Sequence, residues 1–255
     1  MINYKMPVNI IPDDEPVRIE ALNRFEILNT PPETDFDTIA LLASEIFDTE
    51  RAYICFVDQD EVFIKSSLPA NYAPRAVARA QNLCSLSILK DEVTVYPDTR
   101  QNYELLDSPF LSTEDDIRFY AAAPIRNTKG SALGTICVTD DKPHLEITEK
   151  QTKLLQLLAD AVMEKLEKRL ASRQMMKAHE ECLHRLSHDL KNPVTSISLY
   201  AQLLGSREMS AEKVFSMASK IEISSKKIQN VLGNAVPKST NGTARPIRSA
   251  KEFHS

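Results

Sequence analysis

The chain has 255 residues, 42% of them hydrophobic, and a formal net charge of −5. That length suits one large or two modest domains with a packed core, and the acidic balance excludes an overall nucleic-acid footprint. Cys55, Cys84, Cys137 and Cys182 stand apart with no CxxC pair, and neither a leader pattern nor an apolar run of membrane-crossing length is present, so the expectation is a cytoplasmic protein with reduced thiols and no membrane partner.

Residues 1–13 read as an N-terminal tail. The spacing predicts a short amphipathic helix over 16–28, with acids at its start, stopped by Asn29-Thr30-Pro31-Pro32. A second helix is predicted over 36–47, with Phe36, Ile39, Leu42 or Ala43, and Ile46 as its core stripe. β-rich residues then predict a strand over 52–57, a turn at 58–61 and a hairpin partner over 62–66. A third short strand is predicted over 93–96. Strands over 119–125 and 132–139 form a late pair, joined by Asn127-Thr128-Lys129-Gly130, a strong turn signal. Helices before and after, with antiparallel strands between, argue for an α+β domain.

Several words of this region, in order, are DEPVRIEALNRFEILNTPPETDFDTIALLASEIF, FVDQDEVFIKS, VYPDTR, IRFYAAAPI and LGTICVTD. Together they resemble a GAF domain of the kind that precedes the helical hairpin of histidine kinases, and the resemblance implies a sensor domain over 14–168. One word departs: Leu83-Cys84-Ser85-Leu86 stands where the family has Phe-Cys-Ala-His. Bilin-binding relatives use that Cys-His pair, so no covalent tetrapyrrole is expected, and Cys84 reads as a small buried hydrophobe. GAF domains bind small molecules against one face of the sheet or bind nothing and space a dimer, and the sequence names no ligand. Arg75, Arg79, Asp98, Arg100 and Arg118 fall on the pocket side that the resemblance implies. Each reads as a surface or structural charge.

After the sensor the helical pattern is continuous. Leu154, Leu155, Leu158, Val162, Leu166 and Leu170 lead on to Met176, Leu183 and Leu186. The steps 158, 162, 166, 170 are four each and drift off a strict heptad, which predicts a local change of supercoil winding. Such a stretch is either a signalling helix with two registers or a loosely patterned coiled coil.

Within this helix stands Ser187-His188-Asp189-Leu190-Lys191-Asn192-Pro193-Val194. Residues four apart share a helix face, so His188 and Asn192 are neighbours. Pro193 lacks an amide hydrogen and predicts a kink. Leu183, Leu186, Leu190, Ile197, Ala201 and Leu204 make an apolar stripe. With Leu183 and Leu190 at heptad a and Leu186 at d, His188 takes position f and faces water. A second stripe follows the break at 205–209: Ser210 is a candidate N-cap, and Val214, Met217, Ile221, Ser224, Ile228 and Val231 step by three and four. Two helices joined by a short turn make an antiparallel hairpin, which buries its apolar face when two copies form a four-helix bundle.

The run over 186–197, LSHDLKNPVTSI, resembles the phosphoacceptor box of two-component sensor histidine kinases. That resemblance implies a HisKA-like dimerisation and phosphoacceptor domain over 169–234. It implies that His188 carries a phosphoryl group and that Asp189 assists as its acid/base neighbour. It implies too that Asn192 positions water or a phosphoryl group when a partner is dephosphorylated. Residues 235–255 read as a disordered tail. No ATP-binding motif follows the hairpin, so no cofactor is expected on this chain, and ATP is expected only through a partner's catalytic domain. The partners implied are a second copy of the chain, a response-regulator receiver domain and a full-length histidine kinase.

His179, Glu180, Cys182, His184 and His188 crowd one segment. His184 and His188 make a two-ligand i, i+4 clip, but His179 and His184 are five apart, unlike the HExxH helix. No metal is expected there, since it would occupy the acceptor. Two readings of the whole remain: a phosphotransfer protein whose sensor controls His188, or a non-enzymatic dimer that binds kinases or receivers, a truncated kinase included.

Overall fold

The computed structural model describes residues 9–70, 75–102, 105, 117–206 and 209–235, and the chain divides by its contacts into two units, Met1–Arg173 and Gln174–Ser255. The fold is α+β. The tail expected over 1–13 lies largely, and that expected over 235–255 almost wholly, outside the described residues.

The first unit is built on an antiparallel sheet. Its described strands are β1 (Arg51–Val57), β2 (Glu61–Leu68), β3 (Ala76–Ala78), β4 (Thr94–Tyr96), β5 (Phe119–Arg126) and β6 (Ala132–Asp140), in the order β3-β2-β1-β6-β5-β4. Alternate residues of a strand face opposite sides. Ile54 and Phe56 of β1 therefore join one cluster while Cys55 and Val57 join another. Because both faces are covered, β5 and β6 are buried almost end to end, and the sequence there is nearly all apolar or small.

The first face carries α1 (Glu15–Arg24), α2 (Thr34–Phe47) and the start of α4 (Glu149–Ser206). On α2 the buried stripe is Phe36, Ile39, Ala40, Ala43 and Phe47. Ala43 rather than Leu42 faces inward, and Leu42 is about half exposed at 48%. Burying each of the two phenylalanines contributes roughly 1.5–3 kcal/mol. The second face carries α3 (Cys84–Ser87), with Leu83, Cys84, Ile88, Tyr96 and Tyr120 packed beneath it.

Helix α1 ends four residues short of the predicted 28, because Glu26 and Asn29 adopt left-handed backbone (φ 46° and 57°). The turn at 127–130 forms as expected: Asn127 Oδ1 accepts from the Lys129 and Ser131 amides at 2.9 and 3.0 Å, and Gly130 takes φ 89°. Strand β3 and helix α3 were not expected. Three and four residues are too few to carry a periodic signal. On α4 the residues packed into the core of the first unit are Leu155, Ala159, Val162, Met163 and Leu166, with Leu158 and Leu170 only partly buried. That buried set steps by three and four.

In the second unit the rest of α4 and α5 (Ala211–Ala235) form the helical hairpin. The Ser210 carbonyl accepts from the Lys213 and Val214 amides at 3.0 and 3.1 Å and starts α5. Lys220 Nζ lies over the Tyr200 ring, 5.3 Å from its centroid, where the two helices face each other. No helix among the described residues is long and apolar enough to cross a membrane.

Candidate functional site

The helical register places the candidate acceptor. The inward stripe of the second unit includes Leu186, Leu190, Pro193, Ile197, Tyr200 and Leu204 on α4, and Met217, Ile221, Ser224, Ile228 and Val231 on α5, with Ser196, Leu203 and Ser219 partly covered at its edges. Both series step by four and three. Pro193 and Tyr200 thus fill d positions, while Ala201 and Leu183, expected in the stripe, are exposed. The heptad register itself is as predicted, and His188 at f turns away from the seam.

His188 has a side chain 70% exposed, with Asp189 at 59%, and its Nδ1 lies 3.3 Å from Asp189 Oδ1. A carboxylate at that nitrogen favours the tautomer with the proton on Nδ1, which leaves the Nε2 lone pair directed at solvent. Asn192 is exposed one turn further on, and its backbone carbonyl accepts from Ser196 Oγ at 3.0 Å. Pro193 stands inside the helix without ending it. Having no amide hydrogen, it leaves the Asp189 carbonyl without the usual helical donor. Arranged this way, the site offers an accessible nucleophilic nitrogen, a carboxylate to stabilise the imidazolium, and an amide on the same face.

In the first unit the charged residues of the expected pocket side behave as framework. Arg79 is buried and bonds the carbonyls of Asp58 (3.1 Å), Gln59 (3.2 Å) and Ile10 (3.2 Å) as well as Glu15. Arg18, also buried, grips Glu15 through Nε (2.7 Å) and Nη2 (2.8 Å) and donates to the Val57 carbonyl at 2.6 Å. Burial pushes the Glu15 carboxyl up, but the hydrogen bonds and charges of Arg18 and Arg79 outweigh it and hold its pKa at about 2. Asp98 receives Arg118 through two bonds, 2.9 and 2.7 Å, and that guanidinium holds its pKa at about 2. Arg75 and Arg100 are exposed. Lys65 carries no signal in the sequence that marks it as structural. Its buried ammonium bonds Thr30 Oγ1, the Pro31 carbonyl and Glu33 at 2.8, 2.6 and 2.7 Å, and so fastens the loop before α2 to β2.

Cys84 is buried as expected, but its neighbours include two further sulfurs. Cys55, Cys84 and Cys137, far apart in sequence, converge behind α3. Sequence spacing carried no sign of this, because the three lie on different elements. The segment 179–188 makes no comparable group of three metal-binding side chains among the described residues.

The GAF domain model matches residues 31–166, and the His Kinase A (phospho-acceptor) domain model matches 178–235. A cyclic di-GMP phosphodiesterase of Pseudomonas aeruginosa is 28% identical over 155 residues, which are 61% of this chain and 26% of that protein. The chain therefore spans about a quarter of the length of that curated relative. Among solved structures, the GAF domain of an Acinetobacter phosphoenolpyruvate-protein phosphotransferase is similar at 12% identity and a TM-score of 0.43, over 64% of this chain and 98% of that one. The GAF-B domain of DevS from Mycobacterium smegmatis is similar at 14% identity and a TM-score of 0.43, over 57% and 99%.

Proposed function

The chain belongs to the GAF domain family, and with a HisKA phospho-acceptor domain following that sensor we propose that it is a two-component phosphotransfer protein whose phosphoacceptor is His188. The two domains together mark a histidine-kinase-like signalling protein. The observation that carries the finer reading is the His188–Asp189 pair, exposed on the outer face of a helix whose inner face is packed.

The chemistry follows from that pair. The Nε2 lone pair attacks the γ-phosphorus of ATP held by an ATP-binding domain outside these residues. An N–P bond forms, the bond to the bridging oxygen breaks, and ADP leaves with the electron pair. Asp189 stabilises the imidazolium as it develops. A receiver aspartate then attacks the same phosphorus, the N–P bond breaks, and His188 recovers its lone pair. Asn192 positions water or the phosphoryl group when the receiver is dephosphorylated. The hairpin pairs with a second copy to complete a four-helix bundle, supported by inner stripes that remain only half buried and by exposed apolar residues such as Leu199 and Phe215. The GAF unit controls transfer through α4, and a full-length histidine kinase is the further partner.

The test is incubation with labelled ATP and the catalytic domain of a histidine kinase, beside a His188→Ala variant. Acid-labile label that requires His188 supports the reading. Label of equal strength on His188→Ala, or none with any catalytic domain that labels its own hairpin, moves the assignment to a dimer that binds kinases or receivers without carrying phosphate.

A further inference from the structure

Cys55 on β1, Cys84 at the start of α3 and Cys137 on β6 are each about 2% exposed, and none is in a disulfide. Their Sγ atoms all lie within 4.8 Å of one another, and those of Cys84 and Cys137 are 3.9 Å apart. A metal holding three thiolates at roughly 2.3 Å sets its sulfurs about 3.8–4.0 Å apart, so small side-chain adjustments complete the geometry. Among the described residues no other three His, Cys, Asp or Glu side chains gather in this way.

A second observation points to the same place. Thr135 is fully buried, and its hydroxyl meets the Cys84 and Cys137 sulfurs but no nitrogen or oxygen partner. A buried hydroxyl is ordinarily satisfied by a stronger partner than a sulfur, which an ion or a water here would supply. Tyr120 adds a phenol, 3.8 Å from Cys84 Sγ and 2.9 Å from Ser87 Oγ. The cluster therefore presents three sulfurs with hydroxyls at its margin, on the sheet face opposite α1 and α2.

We propose that Cys55, Cys84 and Cys137 bind one zinc ion, with the Thr135 hydroxyl, or a water it holds, in the fourth position. Thiolates select soft d10 cations over magnesium or calcium. Three thiolates leave one negative charge on a divalent ion and two on copper(I), and in so buried a pocket the smaller residual charge is favoured. As each sulfur–metal bond forms, the thiol proton passes to solvent, and no electrons change hands. Entry occurs during folding or by local opening of the single-turn helix α3.

The experiment uses the full chain, reduced, stripped with a chelator and kept anaerobic. Zinc is added and the protein desalted, metal and protein are quantified, and cobalt(II) serves as the spectroscopic probe. The expected result is one zinc per chain, a thiolate-to-cobalt charge-transfer band, and a melting temperature raised by zinc. Cys182→Ala, which changes the exposed cysteine, retains all three. Cys84→Ala and Cys137→Ala bind at least about tenfold more weakly and melt at a temperature indifferent to zinc. Should the variants misfold, the wild type decides alone: zinc must slow alkylation of three thiols and leave the fourth unaffected. Retention of zinc by Cys84→Ala, binding of copper(I) without zinc, or unprotected thiols would overturn the assignment. None of these readouts depends on phosphotransfer.

Discussion

A β-carbon at position 134 would lie 2.0 Å from the carbonyl oxygen of Cys55. Gly134 opposes Phe56 where β1 pairs with β6, at the centre of the sheet, and only a residue without a side chain allows the two strands to approach. The contact is with backbone, which cannot swing aside. Gly134→Ala is therefore expected to cost about 4 kcal/mol or more, the range reserved for strained core substitutions. Chemical denaturation of the two proteins measures it, and a loss under about 1 kcal/mol would show that the sheet relaxes around the methyl.

Glu15 joins two buried guanidiniums. Glu15→Gln leaves Arg18 and Arg79 without their charge partner and is expected to destabilise the GAF unit by about 3 kcal/mol near neutral pH. The sign of the pH dependence follows from its depressed pKa. The folded value, about 2, lies below the ordinary value of 4.5, so the stabilisation is full above the ordinary carboxylate range and is lost as pH falls towards the folded pKa. Asp98 contributes in the same direction. The gap between the thermal melts of wild type and Glu15→Gln should narrow from neutral pH down to about 3, closing only below the folded pKa, and parallel curves would assign the acid sensitivity elsewhere.

Asp189 touches His188 at one nitrogen only. Asp189→Asn keeps the shape and removes the charge that stabilises the imidazolium, so phosphoryl transfer to His188 is expected to slow by about 10²–10³-fold while the hairpin melts unchanged. His188→Ala removes the label entirely. A rate on Asp189→Asn within twofold of wild type would make the carboxylate a bystander.

Pro193 deprives Asp189 of a helical hydrogen bond, at a cost of about 3 kcal/mol in a helix interior. Its ring is buried in the hairpin, and Pro193→Ala loses about 1 kcal/mol of that packing. The helix term is larger, so the variant is expected to melt higher. A lower melting temperature by circular dichroism would mean that packing around the ring dominates.

The half-buried stripes of α4 and α5 require a partner surface in the proposed dimer. Ile221→Asp places a charge in the middle of that seam. It is expected to convert a dimer to a monomer by light scattering, and an unchanged mass would place any self-association elsewhere.

Some of this molecule was readable from sequence and some was not, for physical reasons. The strands 52–57 and 119–125, the turn ending at Gly130 and the helix carrying Phe36 are local matters of period and turn chemistry, and they appear where expected. Heptad spacing alone was enough to turn His188 outward, because register on a helix follows from counting. Sequence spacing misassigned Ala201 and overlooked Pro193 and Tyr200, since a proline and a tyrosine do not read as seam residues until the opposing helix is present.

Amino-acid order by itself determined the types of the longer elements, the two-part organisation of GAF domain and hairpin, and the exposure of the His188–Asp189 pair, all of which depend on local pattern. Tertiary structure alone decided that Arg18, Arg79 and Glu15 close one buried ion network, that Lys65 fastens the loop at 30–33, and that Cys55, Cys84 and Cys137 meet behind α3. Those groupings join β1, β2, β6 and two helices, and the distance between their members is set by strand order and register, which no local pattern encodes.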